Sequence, residues 1–176
     1  MFIEPRIPLL DEILAAWKPD LGTDYPGYRN HVYRMVHFCF ALRDCTDDER
    51  RKVIIAGCFH DLGIWSDRTV DYLPPSVARE KDYLAQHALE RWSPEIELMI
   101  AIHHKLRRYQ DHRYPLVEVF RRADLVDVSL GLLRCGVTGA YIRRVRQQFL
   151  TRDSTSGWCS WSEDGCPGTP PVRCRS

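Results

Sequence analysis

Apolar residues recur at helical spacing along the first 150 positions, and short polar breaks separate the runs. Leu9, Leu10, Ile13, Leu14 and Trp17 share one face of a first helix, which Pro19 and Gly22 end. Residues 28–43 carry an apolar stripe, a charged turn follows at 44–48, and 49–61 form a second apolar-faced helix. Residues 62–75 read as a loop closed by Pro74 and Pro75, after which Ser76 caps a helix over 77–92 with Glu80 in its early turns. Ser93-Pro94-Glu95 pairs a cap with proline at the first helical position and opens a helix running to about Leu106. Pro115 begins another, extending to about Leu133, and residues 138–150 form the last. No stretch alternates with period two for long enough to predict a strand. The expectation is all-α: a single helical bundle.

Composition alters this picture at the C-terminal end. Residues 151–176 contain no Leu, Ile, Phe, Met, Tyr or Ala, and 14 of the 26 are Gly, Pro, Ser or Thr. Such a segment lacks the apolar face needed to offset its ordering entropy, so the expected organisation is a helical domain over 1–150 and a disordered tail over 151–176. Three of the seven cysteines lie in that tail; Cys39, Cys45, Cys58 and Cys135 fall singly among helical residues and read as buried free thiols. A net charge of +1 gives no basis for general nucleic-acid or membrane-surface binding. No apolar run approaches the roughly 18 residues that span a bilayer, and the first 17 residues lack the basic, then apolar, layout of a secretory signal. The expected location is cytoplasmic.

The chemistry lies on three apolar faces. His31, Met35, Phe38 and Leu42 stand at i, i+4, i+7 and i+11, which puts an imidazole in the buried stripe. Val53, Gly57 and His60 align similarly, and Asp61 follows His60 at once. Leu116, Phe120 and Asp124 repeat at i, i+4 and i+8, turning a carboxylate inward. A buried carboxylate needs a compensating cation or several donors. Two histidines and two aspartates on three core faces have a common explanation in a divalent metal ion, which neutralises the carboxylates and takes up the ring nitrogens. These ligand types accept Mn, Fe, Co, Ni, Zn or Mg.

The order His31, then His60-Asp61 within IIAGCFHDLG, then Asp124 within FRRADLVD resembles the HD superfamily of metal-dependent phosphohydrolases over about residues 28–131. The segments DYLPPS at 71–76 and FRRADLVDVSLG at 120–131 also look like those of uncharacterised bacterial HD proteins. The resemblance implies an all-α HD domain, metal ligands at His31, His60, Asp61 and Asp124, and a catalytic role for Asp61. It implies hydrolysis of a phosphomonoester or phosphodiester in a phosphorylated small molecule, with nucleotides among the candidates. Two-metal relatives add histidines between the HD pair and the final aspartate; here His103 lies in that interval and on an apolar face, as a ligand, a substrate contact or a core histidine. The second added histidine has no counterpart, which favours one metal unless Glu80 supplies an oxygen.

Basic residues offer contacts for an anionic substrate, set against the ordinary reading of a solvated helix face. Lys105 and Arg122 each lie within two residues of a proposed site residue, and Arg79 and Lys81 flank Glu80. Asp61, Glu80 and Lys105 are therefore the catalytic candidates, with Arg79, His103, Lys105 and Arg122 as substrate-binding candidates. An HD-type di-iron oxygenase and a non-catalytic nucleotide- or metal-binding regulatory module are the competing classes. Tyr141, Ile142 and Val145 serve either the core or a homodimer interface.

Overall fold

The computed structural model describes residues 1–150, and those residues form helices with no strand among them. The expected disorder of 151–176 lies outside the described residues. In chain order the α-helices are α1 (Pro8–Ala16), α2 (Lys18–Leu21), α3 (Tyr25–Leu42), α4 (Asp47–Phe59), α5 (Gly63–Ser66), α6 (Leu73–Gln86), α7 (Ser93–Ile102), α8 (Pro115–Val128) and α9 (Gly139–Gln148). Short 3-10 turns stand at Gly22–Asp24 and Glu90–Trp92.

Helix α3 is the hub, with α4, α8 and α9 packed on it. Its buried residues include Val32, Tyr33, Met35, Val36, Phe38 and Cys39. Burying each large apolar side chain is worth about 1.5–3 kcal/mol. Helices α3 and α4 approach closely at Gly57, where an added Cβ would stand 3.2 Å from Val32 and 3.3 Å from both Met35 and Val36. The start of α4 is a capping box: Thr46 accepts from the Glu49 amide while Glu49 accepts from the Thr46 amide, and Asp47, Asp48 and Glu49 favour the helix dipole.

Several boundaries differ from the sequence reading, each for a local reason. The expected 62–75 loop holds α5 and the first turn of α6, where Pro74 and Pro75 are tolerated because first-turn amides need no helical acceptor. Ser76 is not a cap; it is buried inside α6, and its Oγ accepts from the Gly63 amide at 2.9 Å. The helix expected over 77–92 stops at Gln86, and Ala88 adopts a left-handed φ of 54°. The last turn of α8 ends at Val128, with Leu130 and Gly131 at φ of 56° and 83°. Tyr141, Ile142 and Val145 are buried in the core rather than presented as an interface. The four described cysteines are free; Cys39 and Cys58 are buried, Cys45 and Cys135 only partly so. Among the described residues no helix is long and apolar enough to cross a membrane.

Candidate metal centre

Histidine geometry sets the chemistry of the site. His60 follows the last residue of α4, and its Nδ1 lies 2.8 Å from the Gly57 carbonyl. His103 follows α7 in the same way, with Nδ1 2.7 Å from the Ile100 carbonyl. A carbonyl only accepts, so Nδ1 carries the proton in both rings and Nε2 is left as the ligand atom. His31 on α3 has its Nδ1 2.7 Å from Asp127 Oδ2 on α8, which assigns it the same tautomer.

The three Nε2 atoms then converge on two carboxylates. His31 Nε2 lies 3.1 Å from His60 Nε2 and 3.7 Å from Asp124 Oδ1. Asp61 approaches His60 Nε2 through Oδ2 at 3.2 Å and His103 Nε2 through Oδ1 at 3.3 Å. Asp61 Oδ1 is buried, and no donor meets it in hydrogen-bond geometry. These atoms form two groups that share His60: His31, His60 and Asp124, and His60, Asp61 and His103. Within each group the ligand atoms lie within 4.8 Å of one another.

Two bare imidazole lone pairs 3.1 Å apart repel unless a proton or a cation stands between them. Neighbouring nitrogens around an ion at a bond length of about 2.1 Å lie about 3 Å apart in octahedral and about 3.4 Å apart in tetrahedral geometry, so the spacing suits a shared ion. The electrostatics point the same way. Burial alone would lower the His60 pKa, but the Asp61 carboxylate overrides it and holds the ring at about 9. Asp61 is kept well below the usual carboxylate range despite burial, by His60 and His103. Burial pushes the Asp124 carboxyl up, against the pull of His31, His60 and His103. Protons on the histidines can supply the positive charge these carboxylates need, and the donor set also fits a divalent cation in their place.

Of the residues singled out from sequence, His31, His60, Asp61, His103 and Asp124 are brought together and buried. The others have different neighbours. Glu80 is fully buried on α6 with both oxygens lacking a hydrogen bond; burial, and then Glu97, push its carboxyl up to about 8, and it belongs to neither ligand group. Arg79 pairs with Asp67 at 3.3 Å. Arg122 is committed to the Cys135 carbonyl, two positions around α8 from Asp124. Lys105 is exposed in the loop after α7, and its carbonyl accepts from Arg121. Arg121 is buried and forked onto Glu118 at 2.8 Å. His37 bonds the Glu4 carbonyl, and His112 is exposed.

Four residues at the site escaped the sequence reading. Tyr28 stacks on the His60 ring at 6.0 Å and donates to the Cys58 carbonyl; it stands one turn before His31 on the same stripe. Half-buried Tyr72 lies 6.4 Å from the His103 ring, and its phenol is pushed up by burial and then by Asp61. Asp127 and Arg34 pair through two contacts of 2.7 Å beside His31. Their signal was the i, i+3 spacing that puts Asp127 on the face of Asp124 and Arg34 on the face of His31. Comparison of the chain with protein-family models, with curated proteins and with solved structures finds no match.

Proposed function

We propose that the chain is an HD-type metal-dependent phosphohydrolase, cleaving a phosphomonoester or phosphodiester of a small molecule. The observation that carries this reading is the convergence of three histidine Nε2 atoms, each with its other nitrogen already donating, on two buried carboxylates. His31, His60, Asp61 and Asp124 would hold a divalent ion. The chemistry such an ion supplies is acidification of water and neutralisation of charge that builds on phosphoryl oxygens. His103 Nε2 faces Asp61 Oδ1, and the ring would contact the substrate from that side. Half-buried Tyr72 keeps its phenolic proton and offers a donor beside Asp61. Lys105, Arg107 and Arg108 on the exposed loop supply positive charge that favours approach of an anion.

The second ligand group, His60, Asp61 and His103, favours one competing reading, a di-iron oxygenase. Metal analysis of protein purified without chelator separates the two. One exchangeable divalent ion, with turnover of nucleotides or an aryl phosphate in Mn²⁺, Co²⁺ or Mg²⁺, is expected. Two tightly held irons and no phosphatase turnover would replace hydrolysis with oxygen chemistry. Asp61→Ala is expected to abolish turnover and bound metal together, and retained turnover would remove the mechanism.

A further inference from the structure

Asp127 lies outside both ligand groups, yet it is the most heavily engaged buried carboxylate in the described chain. Its Oδ2 meets His31 Nδ1 at 2.7 Å, and Arg34 reaches Oδ1 through Nε and Oδ2 through Nη2, both at 2.7 Å. The remaining Arg34 nitrogen, Nη1, donates to the Phe149 carbonyl at 3.2 Å. Asn30, one residue before His31, donates to the Leu150 carbonyl at 3.0 Å. Phe149 itself stacks on Tyr33 and His37 of the same helix, with ring centroids 4.6 and 5.4 Å away. One carboxylate thus receives three donors, and its guanidinium partner is anchored to the backbone just after α9.

We infer that Asp127, oriented by Arg34, is the positioning residue that fixes the tautomer and aim of His31 and so sets the metal affinity of the site. A neutral imidazole has one proton, and whichever nitrogen carries it cannot bind metal. Left alone, the ring favours the proton on Nε2, the nitrogen aimed at the cluster. The ionised carboxylate at Nδ1 reverses that preference and makes Nε2 more basic. His60 and His103 obtain the same tautomer from backbone carbonyls of their own helices, whereas His31 relies on a side chain from another helix. The fork from Arg34 removes the rotational freedom that would let Asp127 turn away. A lysine could neutralise the charge but would not hold both oxygens in one plane.

The inference rests on the metal reading, and two readouts separate their failures. Nitrogen chemical shifts of ¹⁵N-histidine in metal-free protein are expected to show His31 protonated at Nδ1 and to shift toward Nε2–H in Asp127→Ala. Calorimetric titration with Co²⁺ is expected to show binding weakened about 10–100-fold in Asp127→Asn and Asp127→Ala. Arg34→Met should weaken binding as well, and Arg34→Lys should recover part of the loss. Leu14→Ala, a core truncation in α1, is expected to lower thermal stability while leaving Co²⁺ affinity unchanged. Wild-type Co²⁺ affinity in Asp127→Asn, or an unchanged His31 tautomer in Asp127→Ala, would overturn the inference while leaving the metal reading intact. If the Asp127 variants do not fold, the Arg34 pair decides: equal Co²⁺ affinity in Arg34→Met, Arg34→Lys and wild type overturns it. If wild type binds no Co²⁺, the metal reading falls, and the tautomer measurement still decides the role of Asp127.

Discussion

Asp124 is only 5% exposed, and the groups that pull its carboxyl down, His31, His60 and His103, come from outside α8. A carboxylate in that position is tolerated because three imidazoles face it, and they can donate or share a cation. Asp124→Asn keeps the shape and removes the charge, so Co²⁺ binding measured by calorimetry is expected to fall at least tenfold with helicity unchanged by circular dichroism. Glu80 presents the opposite case, a buried carboxyl with no donor. Folded, it keeps its proton up to about pH 8; unfolded, it gives the proton up near 4.5. The folded state therefore binds the extra proton between those values, and stability present in full below pH 4.5 drains away as pH rises through 8. Glu80→Gln should match wild type in melting temperature at pH 4.5 and exceed it by several degrees at pH 8.5. Equal melting temperatures at pH 8.5 would show that Glu80 is ionised without penalty.

At the scale of the element, one glycine and one helix cap hold the ends of α5 and α4 in place. Gly63 opens α5, and an added Cβ there would overlap the Tyr72 carbonyl oxygen and stand 2.8 Å from Pro75. Backbone cannot yield as a side chain can, so Gly63→Ala should lower stability by about 1–3 kcal/mol in urea unfolding, as overpacking does. Thr46→Ala removes one half of the capping box and should cost about 1 kcal/mol in the same measurement. The inward faces of α3, α4 and α8 were readable because 3.6-residue periodicity is a property of consecutive residues. The ends were less readable. Pro74 and Pro75 suggest a loop in isolation, but proline is equally at home in a first helical turn, and Tyr72 and Gly63 decide between these through contacts 9 residues apart in sequence.

For the molecule as a whole, the candidate centre ties α3, α4, α7 and α8 together at one point, so ligand binding and folding are linked. An ion that binds only the folded chain adds about 2.7 kcal/mol at 100 times its dissociation constant. For a chain of this size that corresponds to a rise of about 5–10 °C in melting temperature. Adding Mn²⁺ or Co²⁺ to chelator-treated protein is expected to produce such a rise, and EDTA to reverse it. An unchanged melting curve across millimolar metal would argue that the cluster is satisfied by protons alone.

Periodicity in the chain determined the class of fold, the placement of His31, His60 and Asp124 on inward faces, and the position of most helices. Those features depend on local spacing and on the cost of burying charge, and both can be judged one helix at a time. Tertiary structure alone decided which polar groups meet. Asp127 pairs with Arg34 across 93 positions, and Arg122, two positions from Asp124, turns away to the Cys135 carbonyl. Proximity along the chain says little about direction around a helix or about the partner that packing supplies. That is why the inward ligands could be read from spacing, whereas the groups that aim and surround them could not.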